Sequence, residues 1–349
     1  MKLTTHEPGI YFGMPEDEYH ADPSFSSSVA KDVLVSPLTA WCGHYDPDRD
    51  EDDDTAAQVK GKALHKAVLE GQEAFDARYA VQPDPDDYPD HLKGADQLRA
   101  KCEELGLAKG GSIAAMAKRI MEKDSSVKLW PDVVSAFAAG AGDRITLTPD
   151  VGKYVNRTAD MVSAHPSVRK AVTGGYPEVS IFWHADGIPW KCRLDYLKTR
   201  AAVDLKTFTN IHKKPLDVAV AHAVAQHRYH LQAYIYMQGL MAAHALPIKT
   251  ASMPADDWQR DWRDNGHDPR FIFLFVESGR VPNVALREFR RKNADGQTTL
   301  AYQSGEAAAR QAAGIWQSFM GEFGPDQPWV SDAPLQPFAD EEFPLYMMD

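Results

Sequence analysis

The chain has 349 residues, 44% of them hydrophobic and 25% charged, with a formal net charge of −12. That length exceeds what one core usually fills, so a main domain with an insertion is expected, and no apolar run reaches the length of a membrane span. Three scattered cysteines, Cys42, Cys102 and Cys192, exclude a disulfide framework or cysteine zinc site; the opening MKLTTHEPGIYF lacks a signal peptide's basic and apolar regions, and together these point to a reducing cytoplasm with no membrane partner.

In chain order, Ser26 to Ser28 offer N-caps for a helix through Leu34, which Pro37 limits. Half of the net negative charge lies in residues 46–54, where seven acidic side chains face Arg49. This run reads as a solvated loop, with a phosphate-mimicking or strand-excluding element as the sharper alternative. Val59, Ala63, Leu64, Ala67 and Val68 then make a helical stripe ended by Gly71. His65 lies at its edge, where spacing leaves packing and ligation both open. Residues 81–90, rich in Pro and Asp, read as a linker. Beyond them two short helices are predicted, one with Leu98, Cys102 and Leu105 on a face, the other with Ile113, Met116, Ala117 and Ile120. Residues 126–172 continue as helical scaffold, with Thr148 capping a helix through Val162.

From Pro177 to Phe208 the pattern changes to three short strands, separated by Ala185-Asp186-Gly187 and Lys198-Thr199-Arg200. Side chains two apart share a face, so Lys191, Arg193 and Asp195 lie together, opposite Trp190, Cys192, Leu194 and Tyr196. Asp204 and Lys206 likewise share a face, and a meander brings Glu178, Asp195, Asp204 and Lys206 to one patch. Carboxylates gathered so closely repel by about 4 kcal/mol per pair at an effective dielectric near 20, and a hard divalent cation relieves this. A neighbouring lysine suits metal-assisted phosphodiester hydrolysis. An ordinary antiparallel sheet with one wet face predicts the same alternation, so spacing leaves both open.

After the sheet, Pro215 opens a single long helix through Ala243, on which Gln232 and Tyr236 share a face. His222, His227 and His230 have no accompanying carboxylate and read as facing solvent or DNA. FIFLFVES and NVALREF form two more strands, and residues 299–322 an amphipathic helix. The tail from Pro325 shows no chemistry and reads as disordered or as covering a neighbouring subunit.

Asp195 followed by Asp204-Leu205-Lys206 resembles the PD-(D/E)xK nuclease signature, with Leu194 where that name has proline. Gly61-x-x-Leu64-His65, Leu69-Glu70, Glu178 and Gln232-x-x-x-Tyr236 stand in matching order around it. With the GIY strand and Ser-capped helix at the start, the chain resembles the exodeoxyribonuclease VIII type of phage recombination nuclease over residues 9–80 and 160–320.

The resemblance implies an α/β fold, a mixed sheet flanked by helices, divided as residues 1–90, 91–125, 126–325 and 326–349. It implies that His65, Glu178, Asp195, Asp204 and the Leu205 carbonyl bind Mg²⁺, with Mn²⁺ a substitute. Lys206 would orient or deprotonate water, with Gln232 and Tyr236 in support. It implies digestion of double-stranded DNA from its ends, 5′ to 3′, by a homo-oligomer partnered by a single-strand annealing protein. Residues 91–125 resemble a SAP-type DNA-binding module, through Leu98, Leu105, Gly106, Leu107, Gly111 and Arg119-Ile120. Lys109, Lys118 and Arg119 would then meet phosphates, which position without specifying sequence; a hairpin packed on the nuclease is the alternative. Lys191 and Arg193, beside Asp195, are further phosphate candidates. The competing functions are another nuclease of the superfamily, endonuclease or single-strand exonuclease, and a non-catalytic DNA-binding protein.

Overall fold

A computed structural model describes residues 5–49, 55–249 and 253–332. Its strands are β1 (Gly9–Tyr11), β2 (Tyr79–Val81), β3 (Ile145–Leu147), β4 (Tyr176–Ala185), β5 (Ile188–Lys198), β6 (Ala201–Phe208), β7 (Ile248–Lys249), β8 (Arg270–Glu277) and β9 (Val284–Phe289). Seven of them form one mixed sheet in the order β7-β1-β4-β5-β6-β8-β9. The predicted meander is its centre. Asp186 and Gly187, both at positive φ (52° and 76°), make the two-residue turn that matches strand twist, joining β4 to β5. β6 then pairs in parallel with β8, which requires a crossover, and helices Leu216–Gln226, Tyr229–Ala243 and Asp256–Asn265 supply it.

Apolar side chains on the two sheet faces build two cores. Val179, Ile181, Trp183, Cys192 and Leu194 pack beneath helices Tyr229–Ala243 and Leu300–Phe323. Tyr196, Val203, Leu205, Leu274 and Val276 pack on the other side, against the Ala56–His65 helix and the Thr148-capped helix Pro149–Ala164. A third, separate cluster of Leu98, Cys102, Met116, Ala117, Ile120 and Leu129 fills the helical insertion, closed by a bridge between Leu92 and Leu129. The insertion leaves and re-enters through β2 and β3, a parallel pair just ahead of the predicted linker and within the predicted scaffold. Among the described residues, no helix is long and apolar enough to cross a membrane.

Three expectations need correction. The long helix after Pro215 is two helices, broken where Arg228 adopts the left-handed conformation (φ 50°, ψ 43°). The tail begins as part of the core: Trp329 is fully buried, packs at a tilt against Tyr45 and Phe319, and donates to the Gly324 carbonyl. The strict alternation along β5 also fails, because Leu194 belongs to the first core and Tyr196 to the second. Residues 50–54 of the acidic run and 333–349 of the tail lie outside the described residues.

Candidate active site

The slip in alternation falls at Asp195, and it makes the site. Ladder register runs from Pro177↔Tyr196 to Val179↔Leu194, setting Glu178 opposite Asp195. Glu178 itself takes φ 54°, a strained value for a non-glycine residue, and such strain tends to mark functional positions. On the other edge, β5 and β6 pair only from Tyr196↔Val203 to Lys198↔Ala201. Beyond Asp195 and Asp204 the strands part, and the Leu205 N–H, left without a strand partner there, donates to Asp195 Oδ2 at 2.8 Å.

That fork lets both sheet faces contribute. From the second-core side, His65 brings Nδ1 to 3.5 Å from Asp195 Oδ2. From the first-core side, Gln232 Nε2 donates to Asp204 Oδ1 at 3.0 Å. Asp204 Oδ2 is ion-paired with Lys206 Nζ at 2.8 Å. Tyr236 is buried beside them, edge-on to Phe271. Lys31, from the Ser26-capped helix Ser27–Val33, donates to Gln232 Oε1 at 3.3 Å. Sequence spacing missed it because nothing ties a lone helical lysine to a glutamine 201 residues away; only the Ser-capped opening hinted at its helix.

Asp204 is 1% exposed and the Asp195 side chain 16%. Burial pushes both carboxyls up to about 6 against the pull of Lys206. Burial, then Lys206, drives His65 down to about 4, so its imidazole is neutral and able to ligate. Burial opposes charge on Lys206 too, yet Asp204 and Asp195 outweigh it and hold the amine above its ordinary value. Burial, followed by Lys206, lowers Lys31 to about 8.

A family profile described as a PDDEXK-like domain of unknown function (DUF3799) matches residues 26–249. The chain belongs to that family. It is thereby a member of the PD-(D/E)xK nuclease superfamily, with the α/β core expected of one; nothing in the match narrows it to the exodeoxyribonuclease VIII type. The crystal structure of a protein from Eubacterium rectale, provisionally described as an exonuclease, is similar over 98% of each chain, at 13% identity and a TM-score of 0.48. No curated protein matches the chain.

In this PDDEXK-like domain the donor set fits a hard divalent cation in its chemistry: two carboxylates kept from ionising freely and a neutral imidazole. Among the described residues, no three His, Cys, Asp or Glu side chains are yet gathered closely enough to hold a metal. Glu178 is turned aside: Arg193 Nε donates to its Oε2 at 2.7 Å. The same guanidinium holds Ser180 Oγ and the Met14 carbonyl, each at 3.0 Å, so Arg193 lines the cleft as a fixed strut.

The other predicted phosphate contacts are placed differently. Lys191 is corrected to a structural residue: it is buried, and its Nζ donates to the Tyr19 and Asp22 carbonyls at 2.7 and 2.5 Å. In the insertion, Arg119 turns inward to the Gly110 carbonyl across the loop containing Gly111 (φ 110°). Lys109 meets Glu103 at 2.9 Å, and the exposed Lys118 lies 3.8 Å from Glu122. The insertion's apolar residues gather in a core of their own.

Proposed function

We propose that this chain is a Mg²⁺-dependent deoxyribonuclease that hydrolyses phosphodiester bonds of double-stranded DNA from its ends. The observation that supports the reading best is the convergence of His65, Asp195, Asp204 and Lys206 at the fork between β5 and β6. His65, the two carboxylates and the Leu205 carbonyl would hold the cation, with Glu178 reachable from its Arg193 contact. When bound, the cation supplies a Lewis acid for a phosphodiester oxygen. Gln232 pins Asp204 Oδ1 and so aims Oδ2 into the site. Lys206, kept protonated by its two carboxylates, is an ammonium donor that steadies charge on the phosphate and orients water, rather than a base waiting to accept a proton. Attack from the ends, 5′ polarity and a recombination role extend the reading by resemblance.

The test is digestion of labelled linear and covalently closed circular duplex with Mg²⁺, then with EDTA. The proposal expects loss of the linear duplex alone, and only with Mg²⁺. Cutting of closed circles would replace it with an endonuclease, and no cutting of any DNA would overturn it.

A further inference from the structure

Past His65 the cleft continues along the Ala56–His65 helix, walled by Gly61, Lys62, Lys66 and Arg78. Glu16 crosses this wall. Its Oε1 lies 3.1 Å from Lys62 Nζ and its Oε2 3.0 Å from Arg78 Nη2. Burial works against its charge, but these cations outweigh that and hold Glu16 below its ordinary pKa. A carboxylate gripped between an ammonium and a guanidinium offers what a phosphodiester offers: one negative charge shared over two oxygens, matched to the fork of arginine.

Gly61 gives a second, independent observation. Glycine weakens a helix interior, yet a Cβ added here would meet nothing within 4 Å. No packing inside the protein therefore calls for glycine one turn before His65, and its bare backbone opens on the cleft. Space held open at a cost to the helix, beside paired cations, is what close approach of a ligand's backbone needs.

We propose that Gly61, Lys62 and Arg78 form the track along which the substrate's phosphodiester backbone runs toward His65. Glu16 occupies that track as an internal stand-in for a phosphate, and DNA displaces it. The inference rests on the nuclease reading and adds the residues that seat its substrate.

The test is fluorescence anisotropy of a short labelled duplex with the full chain in EDTA, across a salt series, with each variant's melting temperature measured alongside. Glu16→Gln should bind about fivefold tighter, the factor for removing one like charge at contact distance in a water-like dielectric. Glu18→Gln removes the same charge from the same helix but contacts His6 instead, and should change binding less than about twofold. Lys62→Gln or Arg78→Gln should lower the slope of log affinity against log salt by about one. Gly61→Ala should melt at the same or a higher temperature and bind more weakly. If wild type binds DNA but Glu16→Gln is no tighter than Glu18→Gln, the track is refuted while the nuclease reading stands. If wild type shows no salt-dependent DNA binding, the track is refuted, while the nuclease reading stands or falls on the Mg²⁺ digestion assay.

Discussion

Asp204 shows what the site costs the fold. Its folded pKa of about 6 lies above the unfolded value near 4, so its contribution to stability is fullest below pH 4 and falls as pH rises through 6. Asparagine imitates the protonated form and keeps the Gln232 bond. Asp204→Asn should therefore raise the stability of metal-free protein at pH 7.5 by up to about 3 kcal/mol, with no gain at pH 4. Urea unfolding at both pH values checks this. Divalent-cation binding, by calorimetry, should weaken as pH falls through about 6, because a protonated carboxylate is a poor ligand. Lys191 makes the opposite case: Lys191→Met leaves two buried carbonyls without donors and should cost about 2–4 kcal/mol in urea unfolding while DNA affinity stays unchanged. From the sequence, strand period and charge made Asp195, Asp204 and Lys206 legible, whereas His65 and Gln232 came through resemblance. Lys191 was misplaced because alternation tells which face a side chain takes, not what covers that face.

The elements were mostly legible where local chemistry decides them. Ser26, Thr148 and Thr299 cap their helices, and the Asp-Gly turn fixes the β4–β5 register. The break at Arg228 and the slip at Glu178 and Asp195 were not, because both depend on single residues at positive φ with no glycine to announce them. Arg228→Gly should relieve the left-handed strain and raise stability by about 1 kcal/mol, read in thermal unfolding. Close approach constrains the following helix: at Gly239 a Cβ would lie 2.7 Å from Cys192 Sγ and 2.9 Å from the Trp183 ring. Gly239→Ala should destabilise by about 1–3 kcal/mol, and the same helix carries Gln232, so metal affinity should fall with it.

At the scale of the whole molecule, the chain's length raised the expectation of a main domain with an insertion, which a change of composition and helical period put at residues 91–125. What composition could not convey is the insertion's independence, which rests on its own buried cluster and on the meeting of its ends at Leu92 and Leu129. Replacing residues 93–128 with a short Gly-Ser turn should leave one cooperative melt and unchanged metal affinity, checked by calorimetry; broad unfolding would show that the two cores depend on each other. A net charge of −12 is the opposite of the basic balance usual for a nucleic-acid partner, yet the cleft carries paired cations whose charge is masked by Glu16 and Glu70, so a whole-chain sum hides the local field. The central claim is that Asp204 and its neighbours drive cation-dependent phosphodiester hydrolysis. Its most direct measurement is the rate at which wild type and Asp204→Asn release nucleotides from end-labelled linear duplex in Mg²⁺. The account predicts steady release by wild type and, from a folded variant, at least about a hundredfold less; equal rates would contradict it.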